Sequence, residues 1–252
     1  MVVRASALLT PRTVAAAVLA GALVAYYASS ESLSNLSNNW DIAFVAAILI
    51  PAVFALVYFA LPLWRAHGLL LLGIALAALA IILQEAGFGI AANFAKLATM
   101  TVLAFWFLGY FESVTWVALV AFIVPWVDAY SVWRGPTSHI VKHQQHLFTT
   151  LSFAFPVPGE HASANLGLPD LLFFALFLGA AARFALRPGW TWIALTASFG
   201  VTTVLAVVLD TAGLPALPLL SLGFLIANAD LLWRARPQRT ARPAAADDRA
   251  AE

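Results

Sequence analysis

Two aspartates lie in stretches that otherwise carry no charge. Asp128 sits in Ile123-Val124-Pro125-Trp126-Val127-Asp128-Ala129-Tyr130, and Asp170 in Leu166-Gly167-Leu168-Pro169-Asp170-Leu171. An ionisable group inside an apolar span is costly enough that function is its default explanation. Two carboxylates in contact cannot both ionise cheaply, so they share a proton. The charged member activates a water, and the protonated member donates to the carbonyl oxygen of a scissile bond. That hydrolysis needs no metal, no cofactor and no nucleophilic side chain. A rival set is His139, His143 and His146, whose spacing of four and then three puts three imidazoles on one face of a helix. Such a trio suits a zinc ion carrying a hydroxide. Its neighbours Lys142, Gln144 and Gln145 suit an amphipathic surface helix equally well.

The elements that must position these groups follow from composition. The chain has 252 residues, of which 63% are apolar and 10% charged, against about 25% charged in an ordinary soluble domain. Mean hydropathy is +0.90. Too little polar surface exists to cover a soluble molecule of this size, so the excess must face lipid and soluble enzyme folds are excluded. A formal charge of +1 gives no nucleic-acid footprint, and the absence of cysteine removes disulfides, thiolate catalysis and iron–sulfur clusters.

Apolar runs predict about eight transmembrane helices, near 14–28, 42–64, 69–84, 90–111, 115–133, 168–186, 190–209 and 214–233. Continuous runs rather than strict alternation select helices over a barrel. The expected fold is thus an all-α polytopic membrane bundle over residues 1–233. Its chemistry lies in 115–233, with an external loop at 134–167 and a disordered cytoplasmic tail at 234–252. The first span follows Arg4 and Arg12 and ends in Ala28-Ser29-Ser30. It is read as a retained anchor, with a cleaved signal peptide as the alternative. Trp40, Trp64, Trp133, Trp190, Trp192 and Trp233 fall at predicted ends, where indoles prefer to sit.

Lys and Arg set the orientation. The N-terminus, even-numbered loops and tail carry Arg4, Arg12, Arg65, Arg183, Arg187, Arg234, Arg236, Arg239, Arg242 and Arg249; the other side has Lys96, Arg134 and Lys142. Both termini are therefore expected in the cytoplasm of a multi-pass plasma-membrane protein. Asp128 then lies roughly 8 Å below the external end of its helix, and Asp170 at the external end of the next. The last span begins in the same layer with Leu214-Pro215-Ala216-Leu217-Pro218. Its prolines remove amide donors and prevent a clean helical start, which a bilayer tolerates only beside protein or a water-filled cavity.

Read for structure alone, Asp170 complements the dipole of a helix begun by Pro169, and Asp128 pairs with Lys96. Asp230 is expected to pair with Arg234 one turn later, and 147–158 is read as an apolar segment re-entering the bilayer edge as a substrate gate.

In Val127-Asp128, Gly167-Leu168-Pro169-Asp170 and Pro215-Ala216-Leu217, the chain resembles the presenilin and signal peptide peptidase group of intramembrane aspartyl proteases. That group carries Tyr-Asp, Gly-x-Gly-Asp and Pro-Ala-Leu in the same order. The resemblance covers roughly residues 115–233. It implies a presenilin-like fold, a catalytic dyad of Asp128 and Asp170, and an active site lined by Gly167, Leu168, Pro169, Tyr130, Pro215, Ala216 and Leu217. Implied substrates are membrane-spanning polypeptides or signal-peptide remnants within the lipid bilayer, with Pro215-Ala216-Leu217 helping to hold an unwound substrate strand. Three departures stand out. Val127 replaces the tyrosine, Pro169 replaces the second glycine, and eight spans are counted where the group has nine.

Three other functions fit parts of the pattern. They are a catalytically silent membrane-protein binder of the same fold, motivated by Pro169, a zinc-dependent membrane hydrolase built on the histidines, and a proton-coupled transporter. A retinal protein is excluded, because 214–233 contains no lysine for a Schiff base.

Overall fold

The computed structural model describes residues 10–35, 37–134, 150–161, 163–209, 211 and 214–235. A helix lies in each of the eight predicted segments, and the molecule is a helical membrane bundle. Five helices among the described residues are long and apolar enough to cross a bilayer: Pro11–Ser32, Asn39–Arg65, Gly89–Leu108, Val114–Val132 and Pro188–Val208.

Helix α1 (Pro11–Ser29) starts cleanly, with Pro11 in its first turn and the Thr10 hydroxyl accepting from the Thr13 amide at 3.2 Å. The second span comprises α2 (Asn38–Phe44), a π-turn at Val45–Leu49 and α3 (Ile50–Ala60). Helices α4 (Leu69–Glu85) and α5 (Gly89–Leu108) form a hairpin so close that a Cβ on Gly73 would meet Leu103 Cδ2 at 2.5 Å. Helix α6 (Val114–Arg134) carries the half-buried Asp128 on the side opposite an exposed flank of Phe122, Trp126 and Tyr130.

Helix α7 (Leu168–Arg183) is the centre of the bundle. Phe174, Ala175, Leu176, Phe177, Leu178, Ala180 and Ala181 are all fully buried, and consecutive positions cover the whole circumference of a helix. Phe174 stacks on Phe54 of α3 with ring centroids 4.0 Å apart. Phe177 stacks on Phe224 of α9 (Leu217–Ala227) at 4.9 Å. A Cβ on Gly179 would lie 3.0 Å from the Phe105 ring, so its glycine admits α5. Helix α8 (Pro188–Val208) packs on α9 around Gly223, whose absent Cβ would sit 2.7 Å from Ser198 Oγ.

Two features depart from the expected all-helical plan. Within the stretch read as a loop, strands β1 (Ser152–Pro156) and β2 (Ser163–Gly167) form an antiparallel hairpin, with Ser152 opposite Gly167 and Pro156 opposite Ser163. The alternation Ser-Phe-Ala-Phe-Pro drives it: Phe153 and Phe155 go into the core from one face, while Ala154 and Pro156 on the other are half-buried. Thus 152–156, expected as part of a re-entrant gate, is a packed strand; 147–149 lie outside the described residues.

The last span is also interrupted. Helix α9 stops at Ala227, and a short α10 (Ala229–Arg234) follows. At the break the Asn228 side chain ties α9 to the start of α8: Oδ1 accepts from Arg187 N at 3.1 Å, while Nδ2 donates to the Thr191 hydroxyl at 2.8 Å and back to Phe224 O at 2.9 Å. Asp230 bonds Arg187 in bidentate fashion, at 2.9 and 2.8 Å. The expected pairing with Arg234 is replaced because α8 delivers a guanidinium whose fork fits both carboxylate oxygens.

Candidate functional site

Helix α6 brings Asp128 to the start of α9. The segment 214–216 around Pro215 is irregular, and α9 begins at Leu217 with Pro218 in its first turn. The first amides of a helix lack intrahelical acceptors. One of them is met from outside: Leu217 N donates to Asp128 Oδ2 at 3.0 Å. Ala216 and Leu217 are buried at this contact, and Pro215 and Asp128 are half-buried.

Asp170 is the third residue of α7, and Gly167 is both the last residue of β2 and the N-cap of that helix. The Asp170 carboxylate accepts from the Gly167 amide, which is the reverse half of a capping box. The glycine is there for space rather than for backbone freedom, since its φ is −60°. A Cβ at 167 would meet Asp170 Oδ2 at 3.1 Å. Asp170 is half-buried and within electrostatic reach of Asp128. Leu168 is half-buried beside it, and Pro169 is exposed.

Asp128, Asp170, Gly167, Leu168 and Pro215-Ala216-Leu217 are thereby gathered at one end of the bundle. Tyr130 points elsewhere. It is 67% exposed, two residues from Asp128 and so on the far side of α6. Among the described residues no group of three or more His, Cys, Asp or Glu is placed to hold a metal. His139, His143 and His146 lie outside the described residues.

The hairpin that delivers Gly167 is held from behind. Leu168 N donates to Leu151 O at 3.1 Å, closing its base. On the edge of β1 turned away from β2, Asn93 of α5 stands in for a peptide group. Its Oδ1 accepts from Ala154 N at 2.9 Å, and its Nδ2 donates to Ala154 O at 2.8 Å. Lys96, one turn on, donates to Ser152 O at 3.3 Å. From α1, the Tyr27 hydroxyl donates to Ala154 O at 2.9 Å and the Tyr26 hydroxyl to Pro156 O at 2.8 Å. At the tip, Gly159 adopts a φ of +72° and donates to Ser30 O at 2.7 Å. A Cβ there would strike Asn35 Oδ1 at 2.0 Å.

Reading the residues in order singles out the acids but neither Asn93 nor Tyr27. An Asn and a Lys one turn apart in a membrane-spanning helix, Asn93 and Lys96, were the available signal. A third acid was also missed. Asp41 opens α2 beside Tyr26, only 6% exposed, and its Oδ1 meets no hydrogen-bond partner among the described residues.

What the arrangement offers chemically is two carboxylates and an irregular helix start, next to a sheet with one edge closed by side chains. The sheet has only two strands among the described residues, so the far edge of β2 has no strand neighbour. No protein-family model matches the chain, and no curated protein matches it.

Proposed function

We propose that this chain is an intramembrane aspartyl protease that hydrolyses peptide bonds of transmembrane segments or signal-peptide remnants, with Asp128 and Asp170 as its dyad. The observation that carries the reading is the contact between Leu217 N and Asp128 Oδ2 at 3.0 Å, with Asp170 in electrostatic reach. Three segments far apart in sequence supply it, and two of them carry the only acids of their helices.

In this mechanism the pair holds one proton. The charged carboxylate takes a proton from water as the water oxygen adds to the scissile carbonyl carbon, and the other carboxyl gives its proton to the carbonyl oxygen. The tetrahedral diol then collapses, the C–N bond breaks, and the nitrogen leaves with a proton from the dyad. An extended substrate segment fits along the far edge of β2, which runs directly to Gly167 and Asp170, by strand addition. The reading includes eight membrane crossings in a presenilin-like arrangement, a plasma-membrane location and cytoplasmic termini, supported by the ten-to-three division of Lys and Arg.

The test is photolabelling of the detergent-solubilised protein with a hydroxyl-bearing peptide isostere, a mimic of the tetrahedral diol. Labelling is expected in the wild type and lost in both Asp128→Ala and Asp170→Ala. Labelling that survives both substitutions, or is absent from folded wild type, overturns the proposal.

A second reading, a catalytically silent binder of membrane segments, is favoured by a specific observation. Both acids accept backbone amides at helix starts, as structural caps do. Under that reading a transmembrane peptide binds uncut, and Asp128→Asn leaves its binding intact.

A further inference from the structure

The edge of β1 is closed by side chains in a way that has a mechanical result. Ser152, Ala154 and Pro156 turn their carbonyls away from β2, and all three are met: by Lys96, by Asn93 with Tyr27, and by Tyr26. On the same edge Ala154 N is met by Asn93, and Pro156 has no amide to satisfy. Asn93 alone bonds both backbone groups of one residue, so it fixes β1 along the strand as well as across it. It is 6% exposed on a helix that also packs against α7 through Phe105 and Gly179. The strand it holds is in register with β2, whose last residue is the amide donor to Asp170.

We propose that Asn93, assisted by Lys96, is a positioning residue for Asp170. Through β1 it sets the height of the hairpin against α5, and through Gly167 it sets where the carboxylate of Asp170 lies relative to Asp128. The inference rests on the dyad reading for its consequence, and on geometry alone for its cause. Asn93 and Lys96 bond to the backbone of β1. A side chain without a matched donor and acceptor at 93 leaves β1 free to slide, and Gly167 moves with it.

The chain has no cysteine, so nitroxide labels attached through Asn165→Cys on β2 and Leu222→Cys on the exposed flank of α9 report one distance without background. Four forms of the full chain are compared: wild type, Asn93→Leu, Asn93→Asp and Lys96→Met. In Asn93→Leu the Ala154 amide is expected to exchange roughly tenfold faster or more, the label-to-label distribution to broaden, and isostere photolabelling to fall by at least about tenfold. Lys96→Met should show the same changes more weakly.

Asn93→Asp separates positioning from a general loss of structure. Its uncharged acid form keeps one acceptor and one O–H donor, whereas its carboxylate cannot donate to Ala154 O. A narrow distribution and wild-type labelling are therefore expected at low pH, with both lost as the new acid ionises, each judged against wild type at the same pH. The titratable groups around it are Tyr26, Tyr27 and Lys96, which wild type shares.

A distribution unchanged in Asn93→Leu overturns the inference, as does a broadened one with labelling intact. If folded wild type fails to label at all, the protease reading falls. The label-to-label distance then decides alone whether Asn93 fixes the hairpin: broadening upholds it, and an unchanged width ends it.

Discussion

The two ends of the bundle are held by opposite chemistry. At one end carboxylates meet helix starts: Asp128 accepts from Leu217 at the start of α9, and Asp170 from Gly167 at the start of α7. At the other, guanidiniums meet helix ends. Arg12 donates to Tyr58 O and, at 3.0 Å, to Phe59 O at the last turn of α3, with its charge 5.4 Å from the Tyr58 ring centroid. Arg183 donates to Leu108 O, the last residue of α5. Each charge stands where the helix dipole favours its sign. The difference lies in what else each group can do. An arginine on a terminal carbonyl is spent on structure, because guanidinium keeps its proton at any accessible pH. A carboxylate on an amide keeps a second oxygen and can exchange a proton, so one end has the makings of a reactive site and the other is a clamp.

That contrast can be broken at the clamp. Asn228→Ala is expected to cause the largest loss. It leaves Arg187 N and Thr191 Oγ1 without their buried partner, at a cost of about 3 kcal/mol. At a few degrees per kcal/mol for a chain this long, Tm in detergent should drop by roughly 10 °C. Arg183→Met comes next. It removes one charge-assisted bond to a terminal carbonyl while keeping the aliphatic stem, and should cost about 2 kcal/mol, read by the same melting curve.

Arg187→Ala is expected to leave Tm within error, because its bond with Asp230 is exposed to solvent. A loss there as large as at Asn228 would mean that the exposed pair, and not the buried amide, locks α8 to α10. At the acid end the contrast is sharpest in Asp128→Asn. The amide oxygen still accepts from Leu217, so Tm should move by less than about 2 °C, while isostere labelling is lost. A large stability change there would make Asp128 a clamp like the arginines.

How much of this was legible in sequence depends on range. The helices were readable because lipid demands unbroken apolar runs, and Asp128 stood out against such a run. The irregular start at 214–216 followed from Pro215 and Pro218. Asp230 shows where local reasoning stops: the one-turn rule pointed to Arg234, yet Arg187, from another helix, takes both oxygens. The hairpin was hidden for a similar reason. Ser-Phe-Ala-Phe-Pro reads as five more apolar residues in a membrane protein, and what makes it a strand is Asn93 and Tyr27, some sixty and more than a hundred residues earlier. The Gly167 requirement was also invisible, since it is a matter of room beside Asp170 rather than of turn geometry.

The order of those partners along the chain has a consequence for biosynthesis. Tyr26, Tyr27, Ser30 and Asn93, which grip the hairpin, leave the ribosome before residues 152–167 do. A chain synthesised from its N-terminus, folding as it emerges, thus presents a finished berth when β1 arrives, and α7 enters a cavity whose walls at Phe54 and Phe105 are already in place. Asp170 reaches the interior last among these elements, escorted by a strand that is anchored on arrival.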